Sequence, residues 1–247
     1  VDGARYALYP LVGCGACARC AAGEDNLCPS WRLVGMHRPG VFAERVAVPR
    51  RCLVPVPPGL DDRRAVLAEP LACCVGAVEG AGVGAGDRVV VLGCGPIGLL
   101  AVFLAARAGA DVVAVDPLEE RRRLAAELGA SSFEAEPGSA DLVVDAAGFE
   151  PTWRAAIDAV RSGGTVVVVG LGAAEGTLPL AAVVRRAIHL RGQFAYTRAD
   201  FARALEILAE GDLGLDWLDD APLAEGAAAF ARLVDEPERT TKVLLSP

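Results

Sequence analysis

The run from Arg88 to Phe103 constrains this chain more than any other. Val89-Val90-Val91-Leu92 is apolar and largely β-branched, Gly93-Cys94-Gly95-Pro96 is turn chemistry, and Ile97-Gly98-Leu99-Leu100-Ala101-Val102-Phe103 reads as a buried helix. A strand buried on both faces, a tight turn and a buried helix in that order open a parallel β–α–β unit. Val89–Ala106 is 18 residues without a charge. That is the lower end of membrane-spanning length, but the glycine–proline turn in its middle argues against a span.

The pattern then recurs. Strands are expected at Arg88–Leu92, Asp111–Val115, Asp141–Asp145, Thr165–Val169 and Leu190–Ala195. Helices are expected at Ile97–Ala108, Leu118–Leu128, Thr152–Arg161 and Asp200–Glu210, with a further helical run near Ala224–Asp235 and a closing strand at Lys242–Leu245. Such alternation predicts an α/β fold with a doubly wound parallel sheet. One crossover is short: Glu134–Ala140, containing Pro137-Gly138, can hardly form a helix, so a clipped loop and a thinner sheet face are expected there. The first 70 residues read differently, as turns and strands. Phe42–Pro49 alternates, Leu53–Pro58 is extended, Asp61 or Asp62 can cap a short helix, and Leu71–Gly80 is helical in character.

Composition excludes several classes. With 53% hydrophobic residues the chain is too apolar to be disordered, and a formal charge of −8 makes it a poor nucleic-acid binder. The only lysine is Lys242, a bias that reads as coding preference rather than a binding signal. No signal peptide is recognisable in Val1–Pro10, so a reducing, cytoplasmic setting is expected for the 8 cysteines.

Four of those cysteines form Cys14-x2-Cys17-x2-Cys20-x7-Cys28. Four thiolates on short spacers can close around one tetrahedral ion with no position left for water, the pattern of a structural zinc, one per chain. Two disulfides, buried free thiols and an iron–sulfur cluster are the alternatives. Cys52, Cys73, Cys74 and Cys94 sit in apolar sequence and are expected in the core.

Gly93-x-Gly95-x-x-Gly98 follows a strand and opens a helix, the Rossmann context for a dinucleotide pyrophosphate, with Pro96 and Ile97 between the second and third glycines. Asp116 ends the next strand, eighteen residues after Gly98, where a carboxylate can hold a ribose diol and repel a 2′-phosphate. NAD is therefore expected over NADP. Arg121, Arg122 and Arg123 follow on a helix; Arg121 is assigned to the cofactor site, and a solvated face paired with Glu119 and Glu120 is the alternative for such a run. Glu69-Pro70-Leu71-Ala72 precedes the nucleotide motif, and taken alone Glu69 is a helix-start carboxylate.

These features in this order resemble the zinc-containing medium-chain alcohol/polyol dehydrogenases. Gly40-Val41-Phe42-Ala43-Glu44, Glu69-Pro70-Leu71, Gly93–Gly98, Val169-Gly170-Leu171, Gly192-Gln193-Phe194-Ala195-Tyr196 and Lys242-Val243-Leu244-Leu245 carry the likeness, which covers essentially the whole chain. It looks closest to the polyol, butanediol and threonine dehydrogenase branch. The resemblance implies a partial GroES-like, β-rich catalytic domain at 1–70 with the zinc lobe at 14–28, a Rossmann NAD-binding domain at 71–196, and a C-terminal return at 197–247. It further implies hydride transfer from a secondary alcohol or polyol to NAD. Val169, Gly170, Leu171 and Phe194 would line the nicotinamide pocket, Glu69 would be the catalytic-site metal ligand, and the chain would form a homo-oligomer, dimer or tetramer.

One departure bears on activity. The family's Cys-Gly-Ser/Thr and Gly-His-Glu ligand motifs precede the zinc lobe, whereas this sequence opens at Val1-Asp2-Gly3-Ala4-Arg5 just before it. Both histidines, His37 and His189, read as structural. A catalytic zinc is thus expected only together with an upstream segment. Two functions compete: an NAD-dependent alcohol or polyol dehydrogenase, and an inactive NAD-binding, structural-zinc derivative of one. A zinc-ribbon nucleic-acid protein is a weak third.

Overall fold

The computed structural model describes residues 3–211, 213–236 and 242–247. Val1 and Asp2, which begin the likeness ahead of the lobe, lie outside the described residues. The chain forms two compact units, Val1–Ala72 with Phe194–Pro247, and Cys73–Gln193.

The first unit begins with short strands β1 (Tyr6–Leu8) and β2 (Leu11–Val12), a single helical turn α1 (Ala18–Ala21), then β3 (Arg32–Leu33) and β4 (Leu53–Pro55). β1 pairs antiparallel with β4, and β2 with β3. Phe42–Pro49, expected as a strand, is irregular, and Phe42 is 80% exposed. Alternation alone does not make a strand; its N–H and C=O groups need a partner ladder, and none is recorded there among the described residues. α2 (Asp62–Ala65) is capped as expected, with the Arg64 N–H donating to Asp61 at 2.8 Å. α3 (Ala68–Val78) carries Glu69 in its first turn.

The second unit holds β5 (Arg88–Leu92), α4 (Pro96–Arg107), β6 (Asp111–Val115), α5 (Glu119–Glu127), β7 (Ala140–Asp145), α6 (Glu150–Ala159), β8 (Val160–Val168), α7 (Leu180–Arg185) and β9 (His189–Gly192). The five strands form one parallel sheet in the order β6-β5-β7-β8-β9, so the direction of winding reverses between β5 and β7. Val89, Val90 and Val91 are fully buried, which is why this run carries no polar face. The short crossover is a loop as expected. Ser131 and Ser132 take two backbone bonds on the outer edge of β6, Ser131 N–H to Val112 C=O at 2.8 Å and Ala114 N–H to Ser132 C=O at 2.9 Å. Ala135 from that loop packs on the sheet core together with Leu178, Ala182 and Val183.

The chain then returns to the first unit with α8 (Arg198–Glu210), β10 (Leu218–Pro222), α9 (Gly226–Asp235) and β11 (Lys242–Ser246). α8 starts with a capping box between Thr197 and Asp200. β10 and β11 are parallel neighbours. No helix among the described residues is long and apolar enough to cross a membrane.

Candidate functional site

The four cysteines of the lobe come close enough together to hold one ion. The sulfurs of Cys14, Cys17, Cys20 and Cys28 all lie within 4.8 Å of one another, and Cys14 and Cys20 are 4.0 Å apart. Zinc–sulfur bonds of about 2.3 Å set tetrahedral sulfurs about 3.8 Å apart, so the cluster needs only a small contraction to hold zinc. Backbone N–H groups already point at the sulfurs: Cys14 to Cys28 at 3.3 Å, Gly15 to Cys20 at 3.3 Å and Ser30 to Cys28 at 3.4 Å. These donors suit thiolates. The Ala16 and Cys17 N–H groups, with hydrogen bonds from Cys28 and Cys17, pull the Cys14 thiol down to about 6. At Cys20 the Gly15 N–H pulls down, but desolvation and the neighbouring thiols Cys17, Cys28 and Cys14 outweigh it and push the group up to about 11. Four thiols competing for negative charge are relieved by a dication. All eight cysteines are free, so the disulfide alternative finds no support.

The lobe is tied to the rest of its unit by polar contacts at its far end. The Tyr9 hydroxyl donates to Asp25 at 2.7 Å, and Asn26 Nδ2 donates to the Phe194 carbonyl at 2.9 Å. The Trp31 ring stands 5.1 Å from the Phe194 ring and 4.9 Å from the His37 ring. His37 Nδ1 accepts the Leu33 N–H at 3.1 Å.

Glu69 accepts a hydrogen bond from the Tyr196 hydroxyl at 2.8 Å. It borders a cleft of about 990 Å³ whose walls include Tyr6, Leu8, Val41, Phe42 and Val66. Among the described residues the four cysteines are the only group of three or more candidate ligands. The residues around Glu69 therefore do not fit a catalytic zinc by themselves.

The glycine turn lies in the second unit. Gly93 has φ +89°, and its N–H donates to Val115 C=O at 2.8 Å, which locks the turn to the end of β6. A Cβ at Gly98 would strike the Gly93 carbonyl, so the third glycine is required for the helix to leave the strand this closely. A Cβ at Gly95 would meet nothing within 4 Å. The turn is thus closed at Gly98 and open at Gly95. α4 begins at Pro96 and no side chain caps it, which leaves its first N–H groups for an anion.

Asp116 is 5% exposed and turned toward that loop. Its carboxylate accepts from the Cys94 N–H at 2.7 Å and the Leu118 N–H at 2.9 Å, with Arg121 3.8 Å away. Arg122 donates to the Asp116 and Pro117 carbonyls. Arg123 pairs with Glu120 and Glu127 on the solvated face. Cys94 is fully buried, and burial, with the Asp116 charge next, pushes its thiol up to about 12. It is an inert core thiol at neutral pH. Cys52 and Cys74 are likewise buried, and Cys73 is half-buried.

At the end of β8, Val169 and Gly170 both donate to the Asp145 carbonyl at 2.9 Å, and Leu171 is 89% exposed. Phe194 lies in the first unit beside Trp31. Sequence reasoning missed Asp145, a fully buried carboxylate at the end of β7; a strand ending in Asp before Ala146-Ala147-Gly148 was the available signal. It also missed the Tyr196–Glu69 bond, for which residues 127 positions apart give no local sign.

Two family models match the chain: "Alcohol dehydrogenase GroES-like domain" over residues 2–58 and "Zinc-binding dehydrogenase" over residues 96–210. The L-galactonate-5-dehydrogenase of Escherichia coli K12 is 33% identical over 88% of this chain and 68% of its own length. The structure of L-idonate 5-dehydrogenase from E. coli K-12 superposes with a TM-score of 0.93 at 28% identity, covering 100% of this chain and 76% of that one. A Sinorhizobium meliloti 1021 protein solved with NADP bound gives a TM-score of 0.89 at 33% identity, covering 100% and 78%.

Proposed function

We propose that this chain, which belongs to the zinc-type medium-chain alcohol/polyol dehydrogenase family, binds NAD at the Gly93–Gly98 turn and serves hydride transfer from a secondary alcohol or polyol. The observation that carries the reading is the opening at Gly95: an uncapped helix N-terminus behind a turn that leaves room where a Cβ would stand. A bound NAD would supply the hydride acceptor for oxidation of an alcohol to a carbonyl, the hydroxyl proton leaving to solvent. The chain's own residues hold and orient. The N–H groups of Gly95 and Ile97 would hold the pyrophosphate, and Asp116 with Arg121 would hold the ribose. Val169, Gly170 and Leu171 would serve the nicotinamide. Cys14, Cys17, Cys20 and Cys28 hold one structural zinc. Glu69, oriented by the Tyr196 hydroxyl, is the carboxylate that would serve the alcohol.

The closed glycine position and the open one give a paired prediction. Gly98→Ala should lower stability by roughly 1–3 kcal/mol, the range for overpacking, seen as a drop in Tm. Gly95→Ala should leave Tm unchanged and weaken NADH binding at least about tenfold, because its methyl occupies the ligand's space. Equal effects of the two substitutions on Tm would contradict the division of roles.

A second reading is an NAD-binding, structural-zinc protein without turnover. It rests on Glu69 belonging to no group of three or more candidate ligands among the described residues. Incubating the 247-residue chain with NAD and a panel of sugar acids and polyols, with zinc counted on the same sample, separates the two. NADH accumulation supports the dehydrogenase; one zinc per chain, NADH binding and no accumulation support the second reading. The acidic balance speaks against nucleic acid, and free thiols fit a cytoplasmic location. A homo-oligomer would be served by the outer edge of β9, the last strand of its sheet.

A further inference from the structure

Asp145 is the only fully buried carboxylate among the described residues. It ends β7, next to the point where winding reverses between β5 and β7, the place where open α/β sheets take their ligands. Its carboxylate accepts from the Ala147 N–H at 3.1 Å, the Gly148 N–H at 3.0 Å and the Thr152 hydroxyl at 3.1 Å. Its carbonyl takes the Val169 and Gly170 N–H groups, and the next residue, Ala146, donates to Leu92 C=O at 2.9 Å. Asp145 itself thus fastens two loops, the turn after β7 and the turn after β8, and its neighbour Ala146 ties them to Leu92, the residue before the glycine turn.

The packing above it leaves no tolerance. A Cβ at Gly148 would run into Gly170, one at Gly170 would run into Ala147 and Gly148, and one at Gly93 would come within 2.9 Å of the Ala147 Cβ. The three turns are stacked backbone on backbone. A small tilt of the Ala147–Gly148 turn must therefore displace either Gly93 or Gly170. Burial raises the Asp145 pKa against its hydrogen bonds, so the site keeps a costly group. Two backbone N–H groups donate to it, which suits an acceptor-only carboxylate, and the single Thr152 hydroxyl hydrogen is shared between Asp145 and the Phe149 carbonyl at 2.9 Å.

We infer that Asp145 is a positioning residue of the cofactor crevice: its carboxylate holds the Ala147–Gly148 turn between Gly93 and Gly170 and so fixes the spacing of the walls that receive the dinucleotide. This rests on the NAD reading above. The test titrates NADH fluorescence on the zinc-loaded full chain for wild type, Asp145→Ala, Asp145→Asn and Thr152→Val, with thermal melts alongside. Asp145→Ala should bind NADH at least tenfold more weakly. Asp145→Asn keeps an oxygen for both N–H groups and should recover binding to within threefold of wild type, a rescue that loss of core packing would not produce. Should Asp145→Ala fail to melt cooperatively, Thr152→Val decides, with an expected two- to fivefold weakening. Wild-type affinity in a folded Asp145→Ala, or in Thr152→Val where that variant decides, overturns the inference and leaves the NAD reading standing. Absence of NADH binding by wild type overturns both.

Discussion

Asp116→Ala is expected to weaken NADH binding at least about tenfold and NADPH binding much less. Two effects add for NADH. The ribose diol loses a charged acceptor, and hydrogen bonds to charged groups contribute about 1.5–3 kcal/mol each, against about 1.4 kcal/mol per tenfold in affinity. The glycine turn also loses its tether, since the same carboxylate takes the Cys94 and Leu118 N–H groups. For NADPH the lost tether is offset by relief of repulsion against the 2′-phosphate. Asp116→Asn separates the two effects, because its amide oxygen still accepts the Cys94 N–H while the charge is gone. The ratio of NADH to NADPH dissociation constants should rise in both variants. Equal weakening of the two cofactors would refute the cofactor choice assigned to Asp116.

Removal of zinc should unfold the cysteine lobe. α1 contains no buried residue, and the lobe between Cys14 and Glu24 is mostly exposed, so it has no apolar core of its own. Structural zinc in comparable small sites supplies on the order of 10 kcal/mol, more than so short a segment recovers by packing. Cys17→Ser, or a strong chelator, should therefore release Asp25 from Tyr9 and Asn26 from Phe194, and free Trp31 from its contacts with Phe194 and His37. The readouts are loss of zinc, a red shift in tryptophan emission and rapid amide exchange over 14–31. Amides of β5 and β7 should keep their protection. A zinc-free lobe with wild-type exchange and emission would contradict the assignment.

The β–α alternation was legible because a parallel sheet buried on both faces demands uninterrupted apolar runs, and Val89–Leu92 and Leu142–Val144 supply them. The Asp61 cap and the clipped crossover at Glu134–Ala140 were equally local signals. β8 was legible only from Thr165, since Ser162-Gly163-Gly164 reads as a turn although the strand begins at Val160. Phe42–Pro49 failed because alternation reports which side chains could share a face, not whether a partner strand is there. The cysteine cluster and the glycine turn were visible as spacing. The inward tilt of Asp116, the Tyr196–Glu69 bond and the tether that Asp145 makes between the turns after β7 and β8 were not, because each depends on segments brought together by the fold.

Amide chemical-shift mapping of the zinc-loaded chain with NADH tests the central claim most directly. Saturable shifts are expected, largest at Gly93–Leu99 and Asp116–Leu118, with the amides of Cys14–Cys28 little changed. Shifts that do not saturate, or saturable shifts that leave the Gly93–Leu99 turn untouched, would contradict it.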